Sequence, residues 1–189
     1  MIDRKQNIIE AAAKSFSLFG YKATTMDQVA KIANVGKGTI YTFFENKEEL
    51  FKEIVADLVK QIRHVANDAI KEDHAFHQNL HFALYGVLDF RKSHQLAIKI
   101  AQEGKELNTP AVKEASDMLE KAVLTFIKQE LGKAIDKGEI KNCNTEITSY
   151  VMLKMYVSLV FDWEQEHEPL SKEEIADIFE KMLITGLKK

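Results

Sequence analysis

The sequence predicts an all-α protein of about nine helices, and three observations carry that reading. Apolar residues recur at a spacing of three and four rather than alternating. Only two Pro and eight Gly interrupt 189 residues, which leaves room for long helices. Thr25 and Asn46 each stand three residues before Gln28 and Glu49, the spacing at which a side chain can cap a helix start and be capped in return. With 46% hydrophobic residues and a net charge of -3, the chain can bury a core, so wholesale disorder is excluded.

The first helix is expected over about residues 3–19, where Ile8, Ile9, Ala12, Phe16 and Phe19 follow the helical period and Gly20 closes it. Residues 25–44 read TMDQVAKIANVGKGTIYTFF. Two short helices joined by a tight turn need a small residue where they touch, and Ala30 supplies it. They also need a residue tolerant of a left-handed backbone, which Asn34 is. Val29, Ala33, Val35 and Ile40 form the inner face, and Phe43 and Phe44 are expected to pack. This is a helix-turn-helix pattern; a generic helical hairpin is the plainer alternative. The next helix starts at Asn46 and runs through Leu50, Phe51, Ile54, Val55, Leu58 and Ile62 towards Ile70. Later helices fall near 75–92, 94–104, 109–137, 144–166 and 171–187, broken by Gly104 with Pro110, Gly138 with Asn142 and Asn144, and Pro169.

Charge is uneven along the chain. Residues 1–47 hold seven basic and four acidic side chains, so a mildly basic head precedes an acidic body. Such a head hints at a nucleic-acid partner. The single cysteine, Cys143, allows neither an internal disulfide nor a Cys-rich zinc site, which fits a reducing compartment. Asp3, Arg4, Lys5 and Gln6 precede any apolar run, so no signal-peptide core is expected, and no apolar run is long enough for a membrane span. A cytoplasmic protein with no membrane association is the expectation.

Gly36, Lys37 and Gly38 open the second helix of the pattern with bare amides and one cation, which suits close approach to a phosphate-lined groove. Its outer face would present Lys37, Thr39, Tyr41 and Thr42. Lys can donate to guanine, Thr can meet a base edge through its hydroxyl or methyl, and Tyr commonly reaches a phosphate. Lys47, in the first turn of the next helix, could grip the backbone together with the helix amides.

Residues 4–55 resemble the DNA-binding domain of the tetracycline-repressor (TetR) family. The resemblance rests on Phe19-Gly20-Tyr21, Thr24-Thr25, Val29-Ala30, Ala33-Asn34-Val35, Gly38-Thr39-Ile40-Tyr41, Phe44 and Asn46-Lys47-Glu48-Glu49-Leu50. It implies a bacterial one-component transcriptional regulator, usually a repressor and a homodimer. Carried across, the family's DNA contacts fall on Thr25, Lys37, Gly38, Thr39, Tyr41, Thr42 and Lys47. Asn34 departs from the glycine that many members carry. The expected domains are a head at 1–47 and a ligand-binding and dimerisation body at 48–189.

In the body, the 144–166 segment is apolar around nearly its whole circumference, from Ile147 and Tyr150 to Phe161 and Trp163. One side must meet its own domain and another side something else. Together with the 171–187 helix it would form a four-helix interface in a symmetric dimer; the alternative is a central core helix of a monomer. A pocket for a small lipophilic effector is expected between residues 76 and 163. Its candidate lining is Phe76, Leu80, Leu84 and Leu88 from one helix, Met118, Leu119, Ala122 and Phe126 from another, and Tyr150 and Lys154. Lys154 could hold an anionic group there, or reach solvent above packed core.

His74, His77 and His81 share one helical face, a spacing that could ligate a metal, although a solvated or packed face is commoner and no metal or other cofactor is expected. Arg91, Lys92, Lys99, Glu103 and Glu106 read as ordinary exposed charge. Cys143 lacks the partner a redox sensor would need. No Gly-rich nucleotide loop, serine elbow or paired metal motif supports an enzyme. The function expected is therefore a ligand-responsive regulator that binds a palindromic operator as a dimer. The alternative is a helical DNA-binding or partner-binding protein without effector control.

Overall fold

The computed structural model describes residues 3–93, 95–106 and 109–187, and every regular element among them is helical. In order these are α1 (Arg4–Ala23), α2 (Met26–Ile32), α3 (Lys37–Tyr41), α4 (Lys47–Ala69), α5 (Phe76–Ser93), α6 (Gln95–Glu106), α7 (Pro110–Asp136), α8 (Thr145–Val157) and α9 (Lys172–Phe179). The expected all-α class and helix order are both present. None of these helices is long and apolar enough to cross a membrane.

The helices belong to two compact units that are not consecutive blocks of chain. Met1–Gln61 joins Arg91–Leu119 in the first, and Ile62–Phe90 joins Glu120–Lys189 in the second. A boundary at residue 47 therefore falls inside the first unit, because α6 and the start of α7 pack with the head.

In the first unit α1 begins at Asp3, whose side chain accepts from the Lys5 and Gln6 amides at 3.0 and 3.2 Å. This satisfies two of the donors that a helix start leaves open. Gly20 is left-handed at φ 82°, as its closing role requires, but one further helical turn follows to Ala23. The expected end at residue 19 marks a kink. The core beneath is tight: Ile8, Phe16, Val29, Ile40, Phe44, Leu50 and Phe51 are all buried. Phe16, Phe51 and Tyr21 meet ring to ring at 4.7 to 5.9 Å.

The second unit is built around Leu84, Leu88, Leu131, Met152, Val160, Ile175 and Phe179. Gly138, at φ 71°, closes α7, with its amide donating to Ile135 O and the Glu139 amide to Ala134 O, both at 2.9 Å. The expected single helix over 144–166 is α8 followed by a wider π turn (Ser158–Asp162) and a tighter 3-10 turn (Trp163–Gln165). The last helix likewise widens at Glu180–Ile184. Apolar periodicity cannot distinguish these windings, because all of them are helical and differ only in hydrogen-bond step.

Candidate nucleic-acid interface and body cavity

The turn between α2 and α3 forms as its residues dictate. Asn34 is the one non-glycine at positive φ among the described residues, at 53°. Its amide donates to Lys31 O at 3.2 Å and the Val35 amide to Ala30 O at 3.0 Å, so α2 ends in a Schellman pair with Asn in the left-handed position. Thr25 and Gln28 form the complete capping box at the other end. Ala30 is buried against α3, and Ile40 and Phe44 lock α3 down from its inner side. Phe43 does not pack as expected. It is 38% exposed, because α3 stops at Tyr41 and the following turn rotates Phe43 outward.

The outer side of α3 presents Lys37, Gly38, Tyr41 and Thr42 to solvent, with Thr39 half-buried. The Lys37 ammonium is not idle: it lies 2.9 Å from the Asp27 carboxylate, whose hydrogen bond raises its pKa. Thr42 donates its hydroxyl to Thr39 O at 2.7 Å. The Thr25 hydroxyl is held within the capping box and its side chain stays exposed.

Lys47 is placed differently from a free surface cation. Its ammonium donates to Tyr21 O at 2.8 Å and Thr24 O at 2.9 Å and lies 4.3 Å from the Tyr21 ring centroid. Two of its three protons thus close the end of α1, and burial pulls its pKa down while Glu103 opposes that shift. The capping box expected at Asn46 is half present: Asn46 accepts from the Glu49 amide, but the Glu49 carboxylate takes the Glu45 amide instead.

Glu103 overturns the expectation of an ordinary exposed charge. It is buried at 7% exposure, and its carboxylate accepts the Tyr21 amide at 2.9 Å. A Cβ on Gly20 would collide with that same carboxylate. Gly20 is therefore fixed twice, by its φ and by Glu103. Sequence reasoning missed Glu103 because its partner lies 82 residues away. Lys99 is half-buried beside Gly20 rather than free in solvent. The side chains of Arg91, Lys92 and Glu106 lie outside the described residues.

The second unit contains a cavity of about 250 Å³. Of the expected lining it takes Phe76, Leu80 and Phe126, with Ile127 and Met152 completing the apolar wall. Leu84, Leu88 and Ala122 are buried core instead, and Met118 and Leu119 belong to the first unit. Tyr150 is half exposed. Lys154 does not line this cavity; it pairs with both Glu120 oxygens at 3.0 Å. The polar rim is formed by Lys71, Glu72, His74, Lys133 and Lys137 with Glu130 and Glu139.

His74, His77 and His81 do not converge: the His74 ring leans on Phe82, the His81 ring on Tyr85, and His77 faces solvent. Among the described residues no three His, Cys, Asp or Glu side chains gather as metal ligands. Cys143 is a half-buried free thiol.

Comparison with known proteins agrees with this arrangement. Residues 8–54 match the model of bacterial regulatory proteins of the tetR family. The chain is 54% identical over 186 residues to the HTH-type transcriptional regulator YhgD of Bacillus subtilis, covering 98% of this chain and 97% of that one. It is 25% identical to the fatty acid metabolism regulator protein of the same organism, over 95% of this chain and 93% of that protein. A TetR-family transcriptional regulator from Rhodococcus sp. shares the fold over the full length of both chains, with a TM-score of 0.81 at 17% identity. With its helix-turn-helix head and this full-length likeness, the chain belongs to the tetR family of DNA-binding transcriptional regulators.

Proposed function

We propose that the protein is an effector-controlled repressor that binds a palindromic operator as a homodimer and releases it on taking up a small lipophilic molecule. The observation that carries the DNA half of this reading is the outward display of Lys37, Tyr41 and Thr42 on a short helix whose inner side is locked by Ile40 and Phe44. A rigid base under exposed donors is what direct readout in the major groove requires. Thr25 and the remaining Lys47 donor would take phosphates on either side, and Gly38 would let the backbone approach.

The dimer half is supported by apolar side chains left in water on α8 and in the turns that continue α8 and α9. Ile147 is 62% exposed and Met182, in the turn that continues α9, 70%; Tyr150, Val151 and Trp163 are also exposed. A face of this kind on two adjacent helical segments suits the same face of a second copy. Two recognition helices would then sit about 34–36 Å apart, one turn of DNA. An effector that favours a dimer of different spacing lowers operator affinity by its differential binding to the two forms.

The test is an anisotropy titration against the DNA upstream of the protein's own gene, at stated salt with nonspecific competitor. Saturable, competitor-resistant binding by a dimer is expected. A monomer that binds all DNA alike would sink the proposal.

A further inference from the structure

The rim of the second-unit cavity holds three Lys and three Glu side chains, and not all of them are joined in pairs. Glu130 is taken by Lys133 at 2.6 Å. The Glu139 carboxylate accepts the Phe76 amide at the start of α5, where the helix dipole favours a negative charge. Lys71 and Lys137 carry no ion pair among the described residues, and Glu72 is the one acidic rim residue left uncommitted.

Within the same rim the Nδ1 of His74 is buried and has no hydrogen-bond partner. Buried polar atoms are nearly always paired, so this ring keeps a hydrogen-bonding capacity that the protein itself leaves unused. The rim is also built rather than loose. Asn79 accepts from the Lys71 amide at 2.9 Å and donates back to the Lys71 and His74 carbonyls at 2.8 and 3.2 Å, which pins the α4–α5 turn. Behind it the wall is apolar: Phe76, Leu80, Phe126, Ile127 and Met152.

We infer that this cavity binds an amphipathic acid, a small molecule whose apolar tail lies against that wall and whose carboxylate meets Lys71 and Lys137, with the His74 ring in the same lining. At about 30 Å³ per water-sized group the space holds a tail of roughly eight heavy atoms. A cationic head would meet the two ammonium groups that no carboxylate among the described residues pairs, and a neutral head would form only an uncharged hydrogen bond with them. The inference deepens the effector reading above, but only its consequence for operator binding rests on that reading.

The test uses the full chain and three probes of one length: octanoate, octanol and octylamine, each titrated calorimetrically. Octanoate is expected to bind at least about tenfold more tightly than octanol, a factor appropriate to a charge-assisted hydrogen bond, and octylamine more weakly than either. Lys71→Gln with Lys137→Gln should bring octanoate down to the octanol level while leaving octanol unchanged. Ala134→Leu, which fills the space from α7, should weaken both. If that variant does not fold, the exposed lysine pair still decides. Equal affinity for octanoate and octanol, binding of neither, or octanoate binding untouched by the lysine changes would overturn the inference. Octanoate binding that follows the expected pattern but leaves operator affinity unchanged would keep the site and refute the effector reading.

Discussion

The two units use their residues differently. In the first, Ile8, Phe16, Ile40 and Leu50 are wholly buried while Leu18, Phe19, Ile32, Tyr41 and Phe43 stay in water, and its buried polar groups Ser15, Thr24 and Glu103 all have partners. The second leaves Ile147, Tyr150 and Met182 in water and His74 Nδ1 without a partner. What differs between them is an unpartnered buried polar atom and a run of exposed apolar residues on α8, both in the second unit. On the function proposed above, the first would hold a fixed shape towards DNA, and the second would be completed by a copy of itself and by a ligand.

The sharpest way to break that comparison is to truncate one apolar residue in each unit. Phe16→Ala should cost about 3–5 kcal/mol of unfolding free energy and abolish DNA binding, since the cavity would open against Phe51 and Tyr21. Ile147→Ala, at 62% exposure, should change folding stability by less than about 0.5 kcal/mol. It should instead raise the dimer dissociation constant, read by analytical ultracentrifugation. Equal destabilisation by both would mean that the α8 face is ordinary core.

Next in size is the junction of Gly20 with Glu103. Gly20→Ala forces a side chain into a left-handed backbone, roughly 1–2 kcal/mol, and evicts a buried carboxylate from its amide partner, roughly 1.5–3 kcal/mol. A loss of about 3 kcal/mol in denaturant unfolding is expected. Glu103→Gln, which keeps the shape and an acceptor, should lose less than half of that.

The head's short-range features were legible in the sequence because their causes are local. Thr25 with Gln28, Asn34 in its turn and Gly20 at its kink each answer to residues within a few positions. The partners of Glu103 and Lys154 are not legible for the opposite reason: Tyr21 and Glu120 are 82 and 34 residues away, and nothing in the charge of either announces the pairing. The pocket expectation suffered likewise. Periodicity identified Phe76, Leu80 and Phe126 as inward-facing, but whether such residues meet as packed core or around a void depends on how three helices approach.

Lys47 separates two roles that sequence alone merges. Tyr41→Ala and Lys47→Ala should both weaken DNA binding by several-fold across all sequences and flatten its salt dependence, as loss of a phosphate contact does. Only Lys47→Ala should also lower Tm, because it frees the Tyr21 and Thr24 carbonyls. Lys37→Ala should leave Tm unchanged, since an exposed pair with Asp27 contributes little, yet shift base preference in a selection from random DNA. Uniform loss at every operator variant would remove Lys37 from direct readout.

The smallest effects test whether local helix chemistry is the same in both units. Thr25→Ala and Ser171→Ala each remove a complete capping box, and each should lower Tm by about 2–4 °C at neutral pH. Acid should then distinguish them. The Ser171 amide and hydroxyl hold the Glu174 carboxylate below its ordinary pKa, so this stabilisation is full above the unfolded carboxylate range near pH 4.3 and is lost as pH falls through the depressed folded value. Gln28 does not titrate. The penalty of Ser171→Ala should therefore shrink at low pH, leaving what the Ser171 hydroxyl contributes by accepting the Glu174 amide, while the penalty of Thr25→Ala stays constant. Parallel pH profiles for the two variants would mean that the bond from the Ser171 hydroxyl to the Glu174 carboxylate contributes nothing to the cap.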